Sequence, residues 1–382
     1  MKRAPTRDIL WLFILTRVAL VLVTYFAFVL LTAQKYTATP VNINALLTSW
    51  SQWDAANYVW IAHFGYVRYF DVAFFPLYPL LIFVLALPLS WWGGSYLLMG
   101  TLISNAALLG SLFLLYQIAV EAAGEQVARR ALLYLCLFPT AFFFFAAYNE
   151  SLFLFFTLGA FLALRRQRWW LAGLLGLLAA LTRSAGLLLA IPYLIEVWIS
   201  RESVAADRQK LWLRVLPVVL IPLGTALYAL YCWQIRGTPL AFAGVQSHWG
   251  RITTWPWIGI GASFGDLFWI KGFGSFDEAH IILDLIATIG FIILTVLSWR
   301  KLRLSYAVWA TVLVLFMLIS PGFFSVDPLE SNQRLVLEVF PAFIMLAMLG
   351  VKHPRFHLTL LIIFPALLAT LSILFLTGKW MV

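Results

Sequence analysis

The chain is organised around residues 50–79, which read WSQWDAANYVWIAHFGYVRYFDVAFFPLYP. This stretch follows a first hydrophobic run and places one carboxylate, Asp54, among aromatic residues before a proline-containing FFPLYP break. Aromatic faces stack on the apolar faces of a sugar ring, and a carboxylate takes a proton from a sugar hydroxyl. The alternative is an aromatic belt at the membrane interface, since Trp and Tyr gather there in any membrane protein.

The composition is that of an integral membrane protein. The 382 residues are 63% hydrophobic and only 11% charged, whereas about a quarter of the residues of a soluble protein are charged. Apolar runs recur along the whole chain, so we predict one integral-membrane domain over residues 1–382. The net charge of +10 is explained by basic loops on the cytoplasmic side, and nucleic acid is not an expected partner.

The first apolar run, from about residue 9 to 31, is predicted to cross the membrane with its start in the cytoplasm. Segment 74–92 contains three prolines, so an unbroken crossing helix is not expected there. If this segment stays on the outer side, every later basic cluster falls inside, as the positive-inside rule requires. Residues 33–94 then form a first extracytoplasmic loop with juxtamembrane helices, and residues 234–280 form a large second one.

The expected fold class is an all-α, polytopic transmembrane bundle of about eleven spans. After the first, the predicted spans lie at 95–120, 131–147, 151–165, 169–182, 187–199, 213–233, 281–299, 305–320, 335–350 and 358–377. Arg17, inside the first span, is near enough to its cytoplasmic end to snorkel. Arg183 is expected at a polar turn between two half-length helices.

With this topology, charged and polar residues gather on the outward face of the bundle. They are Asp54, Asp71, Glu150, Arg183, His248, Arg251, Asp327, Glu330 and Arg334. Because guanidinium forks match phosphate oxygens, the set suits a polyprenyl-phosphate sugar, with an anionic head and an apolar tail. The alternative is that each arginine pairs with a nearby acid for folding or topology.

No metal or other cofactor is expected. His63, His248 and His280 are placed on the outer side without recognised metal-ligand spacing, and the chain has no H-E-x-x-H or C-x-x-C motif. It also lacks the D-x-D signature that holds a metal for a nucleotide-sugar donor, which favours a lipid-linked donor.

Several blocks resemble the PIG-V-type mannosyltransferases. The first is WDAANYVWIAHFGY (53–66) with AFFPLYPLL (73–81), and the likeness continues in order along most of the chain. The later blocks are FPTAFFFFAAYNESLF (138–153), LTRSAGLLL (181–189), GTPLAF (237–242), HWGR (248–251) and SNQRLVLEVFP (331–341).

The resemblance implies a C-type membrane glycosyltransferase with its active site in the first extracytoplasmic loop and a polyprenyl-phosphate-linked sugar, most simply mannose, as donor. Asp54 matches the acidic residue of the motif, the general base. Tyr148, Asn149 and Glu150 match a second block, and Arg183 matches a basic residue that faces the donor phosphate. Many relatives have His where this chain has Asn57, which leaves donor choice and activity open.

The resulting hypothesis is inverting transfer of mannose to a lipid-linked or cell-envelope glycan on the outer side of a bacterial inner membrane, or the endoplasmic reticulum lumen in a eukaryote. Besides Asp54, the expected substrate-binding residues are Trp53, Asn57, Tyr58, Asp71, Tyr148, Asn149, Glu150, Arg183, His248, Arg251 and Arg334. Two alternatives belong to other classes: a lipid or glycolipid flippase, which also needs an outward cavity, and a non-catalytic accessory subunit.

Overall fold

The computed structural model describes residues 5–32, 42–201, 208–270, 272, 274–323 and 327–380. Over these residues the secondary structure is helical, and extended pairing there is limited to one isolated antiparallel bridge between Arg251 and Gly322. The all-α prediction is therefore confirmed. The start of the predicted first loop, residues 33–41, lies outside the described residues, as do residues 202–207 of a predicted cytoplasmic loop.

The first half of the described chain forms helices of very different lengths. In chain order they are α1 (Thr6–Thr32), α2 (Ile43–Thr48), α3 (Asp54–Phe64), α4 (Leu77–Ala86), α5 (Ser95–Ala123), α6 (Glu125–Leu137), α7 (Glu150–Arg165), α8 (Trp169–Thr182) and α9 (Ala190–Ser200). Short 3-10 turns lie at Tyr69–Ala73, Leu87–Leu89, Ala141–Phe144 and Ser184–Leu189. The predicted short helices of the first loop are thus present, and the proline-rich segment 74–92 holds no long helix.

The second half continues the same pattern. Its helices are α10 (Arg208–Val215), α11 (Leu220–Arg236), α12 (Ala241–Gly244), α13 (Pro256–Gly265), α14 (Phe276–Lys301), α15 (Leu304–Leu318), α16 (Asn332–Leu335), α17 (Phe340–Lys352) and α18 (Pro354–Leu376). Further turns are Leu216–Val219, Val245–Trp249 and Val336–Glu338.

Five helices of the described part are long and apolar enough to cross a membrane, and six if a bent pair counts as one span. The five are α1, α5, α14, α18 and the continuous stretch Leu211–Arg236. Shorter apolar helices coincide with several other predicted spans, among them α8 and α15. The chain is therefore an integral membrane protein by helix length and composition, while the count of about eleven spans is not confirmed.

Two predicted spans are not single helices. Over 131–147 the chain leaves α6 at Leu137 and continues through Pro139 into the buried turn Ala141–Phe144. Proline cannot donate the backbone hydrogen bond that a continuing helix needs, so the apolar run is buried as irregular backbone. Over 335–350, the segment Asn332–Glu338 and α17 are bent by 88° relative to each other.

The chain divides into two compact units that alternate along the sequence. The first unit comprises residues up to Val67, then Pro76–Phe155, and the stretch from Ala347 to Met381. In this unit α1 packs against α5, α6 and α18, while α3 packs against α4 and α5. The core of the first unit is thus built around α5, the helix that both α1 and α3 contact.

Arg17 lies in the core of the first unit and does not snorkel, so that expectation was wrong. Its side chain is 8% exposed, and Nη1 donates to Asn105 Oδ1 at 3.4 Å. The guanidinium also lies 5.7 and 5.9 Å from the ring centroids of Phe13 and Phe145. A charged group within a span that faces protein finds polar and aromatic partners there, which costs less than exposure to lipid.

The second unit comprises Arg68–Phe75 and Phe156–Leu346. Here α8 packs closely on α11 and on the turn Leu216–Val219 that precedes it, because glycines face the neighbouring backbone. A Cβ at Gly173 would overlap the carbonyl oxygen of Pro217, and one at Gly224 would lie 2.6 Å from the carbonyl oxygen of Leu177. Small residues at membrane helix interfaces allow this close approach.

Within the second unit, α14 has a well-formed start. Ser275 is its N-cap and accepts from the backbone N–H of Glu278 at 3.1 Å, and the Glu278 carboxylate accepts from the N–H of Gly274. These two bonds hold the first turn of the helix. It therefore sets the direction of the polar residues one and two turns later, His280 and Asp284, which point into the unit.

Candidate active site

Asp54 begins α3 in the first unit, directly after a strained residue. Trp53 has φ 53° and ψ −120°, a conformation in which an L side chain crowds its own backbone. Such strain persists only when its surroundings enforce it, and it is concentrated at functional sites. The turn at Trp53 places the half-buried Asp54 carboxylate in the first helical turn, where the helix dipole favours negative charge.

The aromatic neighbours of Asp54 differ in exposure. Trp53 is 41% exposed and its ring lies 5.1 Å from that of Trp380. Tyr58 is only 3% exposed, and its ring meets Tyr78 edge to face at 4.9 Å. Of the two predicted sugar-stacking rings, the Trp53 ring has the accessible surface, whereas Tyr58 lies in the core of the unit.

Asn57 lies three residues after Asp54 in α3, and its backbone N–H donates to the carbonyl of Trp53 at 3.3 Å. Residues three apart on a helix are neighbours on one face. Because of this spacing, Asn57 lies on the helix face that carries the candidate base. Its side chain is half buried.

The second predicted block lies at the start of α7, which begins at Glu150. Tyr148, Asn149 and Glu150 are all buried. The Tyr148 hydroxyl donates to the carbonyl oxygen of Gln52 at 3.2 Å, two residues before Asp54. The structure thus brings this block and the start of the Asp54 motif together within the first unit.

A second hydrogen-bonded path joins the same two blocks. Ser104 Oγ donates to the Tyr148 carbonyl at 2.6 Å and lies 2.7 Å from the Tyr78 hydroxyl, which also reaches the Gly100 carbonyl at 2.9 Å. Tyr78 in turn packs on Tyr58. Buried, fully partnered polar chains of this kind hold a site rigid. Sequence reasoning missed Tyr78 and Ser104, although Tyr78 belongs to the FFPLYP block.

In the second unit, Arg183 lies at the break between α8 and the turn Ser184–Leu189, with φ −152° and ψ 149°. The predicted polar turn between half-length helices is therefore present. Its Nη1 lies 2.8 Å from Glu338 Oε1, and both side chains are largely buried. Glu338 belongs to the quoted 331–341 block but was not singled out, because nothing in the sequence links it to a residue so far away.

Asp71 is fully buried in the second unit. Arg68 donates to it from Nε to Oδ1 at 2.8 Å and from the backbone N–H to Oδ2 at 2.7 Å, and Nη2 also lies 2.8 Å from Oδ1. Arg236 Nη2 donates to the Arg68 carbonyl at 2.6 Å. A cavity of about 740 Å³ lies alongside, lined by the 69–72 turn and by residues of α11 and α12, including Arg236.

The other predicted residues of the second unit lie in and near its loops. The His248 ring stacks on Phe70 at 5.0 Å, with 9° between the planes. Arg251 donates to the carbonyls of Ser320 at 3.2 Å and Glu330 at 3.4 Å. Arg334 is buried on the short helix α16.

The structure sorts the candidate residues between the units. The first unit holds Trp53, Asp54, Asn57, Tyr58, Tyr148, Asn149 and Glu150, and the second holds Asp71, Arg183, His248, Arg251 and Arg334. Placement alone does not test the role of any of them, so the catalytic and substrate-binding assignments stay predictions.

One polar cluster escaped the sequence analysis. His280, Asp284 and Asp327 of the second unit are buried and place one ligand atom each within 4.8 Å of the others. Burial, followed by the charge of Asp284, raises the pKa of the Asp327 carboxyl to about 7. His280 and Asp284 lie four residues apart on the same helix face, a spacing that was not considered in the sequence analysis, and the expectation of no metal stays a prediction.

Comparison with known proteins agrees with the motifs. Residues 7–233 match the mannosyltransferase (PIG-V) family, which is more than half of the chain. The chain belongs to the PIG-V mannosyltransferase family. This PIG-V family member is 39% identical over 156 residues to GPI alpha-1,6-mannosyltransferase 2 of Rattus norvegicus, and 37% identical over 155 residues to that of Homo sapiens. Each match covers 38% of this chain and 31% of the relative.

The fold of this PIG-V family member also has a solved counterpart. ArnT from Cupriavidus metallidurans, solved with bound undecaprenyl phosphate, superposes with a TM-score of 0.51 at 16% identity. The superposition covers 91% of this chain and 62% of ArnT. At 16% identity the superposition shows a similar fold and nothing about activity. The fold resembles that of the C-type membrane glycosyltransferases.

Proposed function

We propose that this protein transfers a mannosyl residue from a polyprenyl-phosphate-linked donor to a hydroxyl of a lipid-linked or cell-envelope glycan, with inversion, and that Asp54 is the general base. The observation that carries the proposal is the placement of Asp54. It begins a helix, follows a strained aromatic residue, and is tied to the second motif block through the Tyr148–Gln52 hydrogen bond.

Membership of the PIG-V family supports mannose as the transferred sugar. The ArnT structure contains undecaprenyl phosphate, and a donor of the same kind suits an integral membrane protein because its apolar tail stays in lipid while the head reaches a polar site. The acceptor of the GPI mannosyltransferases is not part of the proposal, since their matches cover 31% of their length.

The proposed step forms one bond and breaks one. The acceptor hydroxyl oxygen attacks the anomeric carbon of a β-linked donor while Asp54 takes the hydroxyl proton. The bond between the anomeric carbon and the phosphate oxygen breaks, and polyprenyl phosphate leaves with the electron pair. Arg183, assisted by Arg251 or Arg334, offsets the charge of the leaving phosphate, and such stabilisation is worth several kcal/mol in a water-poor site.

We place the protein in a bacterial inner membrane with its site facing outward. In a eukaryote the corresponding surface would be the lumenal face of the endoplasmic reticulum. The donor and acceptor are both lipid-anchored or envelope-bound molecules in either case, and no metal or other cofactor takes part in the transfer step.

The test is transfer from synthetic polyprenyl-phosphate-mannose by the protein purified in detergent. Positioned proton transfer contributes about 10²–10⁴-fold in rate, so Asp54→Asn should lose at least about 100-fold in kcat. Asp8→Asn is the matched control: Asp8 is also in a first helical turn of the first unit, but it is exposed and pairs with Arg129.

Near wild-type turnover of Asp54→Asn would remove this residue from the mechanism. Sugar transfer by the purified wild-type protein alone distinguishes an enzyme from a flippase or an accessory subunit. Lipid movement across vesicles without any transfer would favour the flippase.

A further inference from the structure

A compact cluster of three ionisable side chains lies in the second unit. The proposed transfer step uses none of the three. His280 and Asp284 lie one turn apart on α14, and Asp327 comes from the loop that precedes α16. All three side chains are buried, and one ligand atom from each lies within 4.8 Å of the others.

His280 and Asp284 are in close contact, at the distance of an ion pair. Nε2 lies 3.2 Å from Asp284 Oδ2, yet among the described residues no hydrogen-bond partner reaches this 4%-exposed imidazole nitrogen. A tetrahedral ion with bonds of about 2.1 Å separates neighbouring ligand atoms by roughly 3.4 Å. The observed Nε2–Oδ2 distance is compatible with two ligands on one ion, and the third ligand atom lies within 4.8 Å of both.

Hydrogen bonds from the surroundings orient both carboxylates. Asp284 Oδ1 accepts from the backbone N–H of Gln333 at 2.8 Å. Asp327 Oδ1 accepts from the N–H of Leu329 at 2.8 Å and from Ser263 Oγ at 3.0 Å. Outer partners of this kind fix ligating carboxylates in known metal sites and tune their affinity.

We propose that His280, Asp284 and Asp327 bind one divalent transition-metal ion, Zn²⁺ or Mn²⁺. One imidazole and two carboxylates form a ligand set that such ions accept, with the remaining position open to water. Two buried carboxylates side by side repel each other and are costly without a compensating cation. A dication supplies that compensation.

The ion has a structural role. It joins α14 to the segment 327–333, which Gln333 and Asn332 already attach to the same helix. This segment leads into α16 and Arg334. The three residues take no part in the transfer step as proposed, and this proposal departs from the expectation that the chain holds no metal.

The test measures metal content directly. Protein purified in detergent is stripped with a chelator, reloaded with ZnCl₂ or MnCl₂, freed of excess ion, and analysed by mass spectrometry for metal per chain. We expect about one equivalent in the wild type and less than about a quarter of that in His280→Gln and Asp327→Asn. His353→Gln and Asp277→Asn are the matched controls and should keep the wild-type content, since neither residue is in the cluster.

A second measurement does not depend on the variants folding. Reloading the stripped wild type should raise its melting temperature by at least about 2 °C. In electron paramagnetic resonance, the six-line spectrum of free Mn²⁺ should disappear as the ion binds to the protein. Wild-type protein without metal and without a thermal shift would overturn the proposal and leave a His280–Asp284 ion pair. Unchanged metal content in the two cluster variants would also overturn it, because the ion would then bind elsewhere.

Discussion

The phenolic hydroxyl of Tyr148 donates to the backbone carbonyl of Gln52 at 3.2 Å. This bond joins two motif blocks that are far apart in sequence, one ending at the start of α7 and the other leading into α3. Because Trp53 follows Gln52 and carries the strained backbone, the bond restrains the residues that set the position of Asp54.

We therefore expect Tyr148→Phe to reduce turnover more than stability. Loss of one buried hydrogen bond costs about 1 kcal/mol, while a misplaced catalytic group costs up to about 100-fold in rate. Steady-state transfer kinetics and thermal unfolding measure the two effects. Tyr193→Phe is the control, since the Tyr193 hydroxyl bonds the carbonyls of Trp169 and Arg214 in the second unit. Equal kcat values for the two variants would contradict a positioning role for Tyr148.

Most helix positions could be predicted because apolar length and prolines are local signals. The helices α1, α5, α14 and α18 coincide with predicted spans, and the prolines of segment 74–92 correctly indicated a broken helix. Hydropathy does not distinguish a helix from buried irregular backbone, which is why residues 131–147 were wrongly assigned to one span. Pro139 was the available signal.

The candidate site could be predicted only in part. The motif blocks indicated Asp54 and the 148–150 block, and their link through Gln52 and Ser104 required three-dimensional packing. The Arg183–Glu338 ion pair joins residues that are distant in sequence, so no spacing rule identifies it. The four-residue spacing of His280 and Asp284 can be read from the sequence. The third residue of this cluster, Asp327, lies in a distant loop, so no spacing links it to the other two.

The Arg183–Glu338 pair allows the two possible roles of the arginine to be separated. Arg183→Gln removes the cation that lies 2.8 Å from the buried Glu338 carboxylate, and breaking a buried ion pair from one side should destabilise the protein by about 3–5 kcal/mol. The double variant Arg183→Gln with Glu338→Gln removes both charges and should regain most of that stability, as thermal unfolding in detergent would show.

The kcat of the single and double variants at Arg183 and Glu338 should not change in parallel with their stability. If Arg183 faces the donor phosphate, both the single and the double variant lose at least about 100-fold in kcat. Recovery of transfer in the double variant would mean that Arg183 serves the ion pair alone.

The backbone at Trp53 predicts a difference between two truncations. Trp53→Ala and Trp53→Gly both remove the exposed ring, but only glycine adopts φ 53° without strain. We expect the glycine variant to be more stable than the alanine variant by about 1 kcal/mol. Both should raise the KM for the donor if the ring stacks on sugar. An alanine variant at least as stable as the glycine variant would show that the turn is not strained.

The packing of α8 on the turn Leu216–Val219 predicts opposite effects for glycine-to-alanine substitutions at two positions. Gly173→Ala places a methyl group against the carbonyl oxygen of Pro217, and overpacking of this kind costs about 1–3 kcal/mol. At Gly290, in α14, nothing lies within 4 Å of an added Cβ. Gly290→Ala should therefore stabilise the protein by up to about 1 kcal/mol, since alanine is the better helix former. Thermal unfolding of the two variants in the same detergent measures both changes. A Gly173→Ala variant as stable as wild type would show that α8 does not pack this closely on the turn Leu216–Val219.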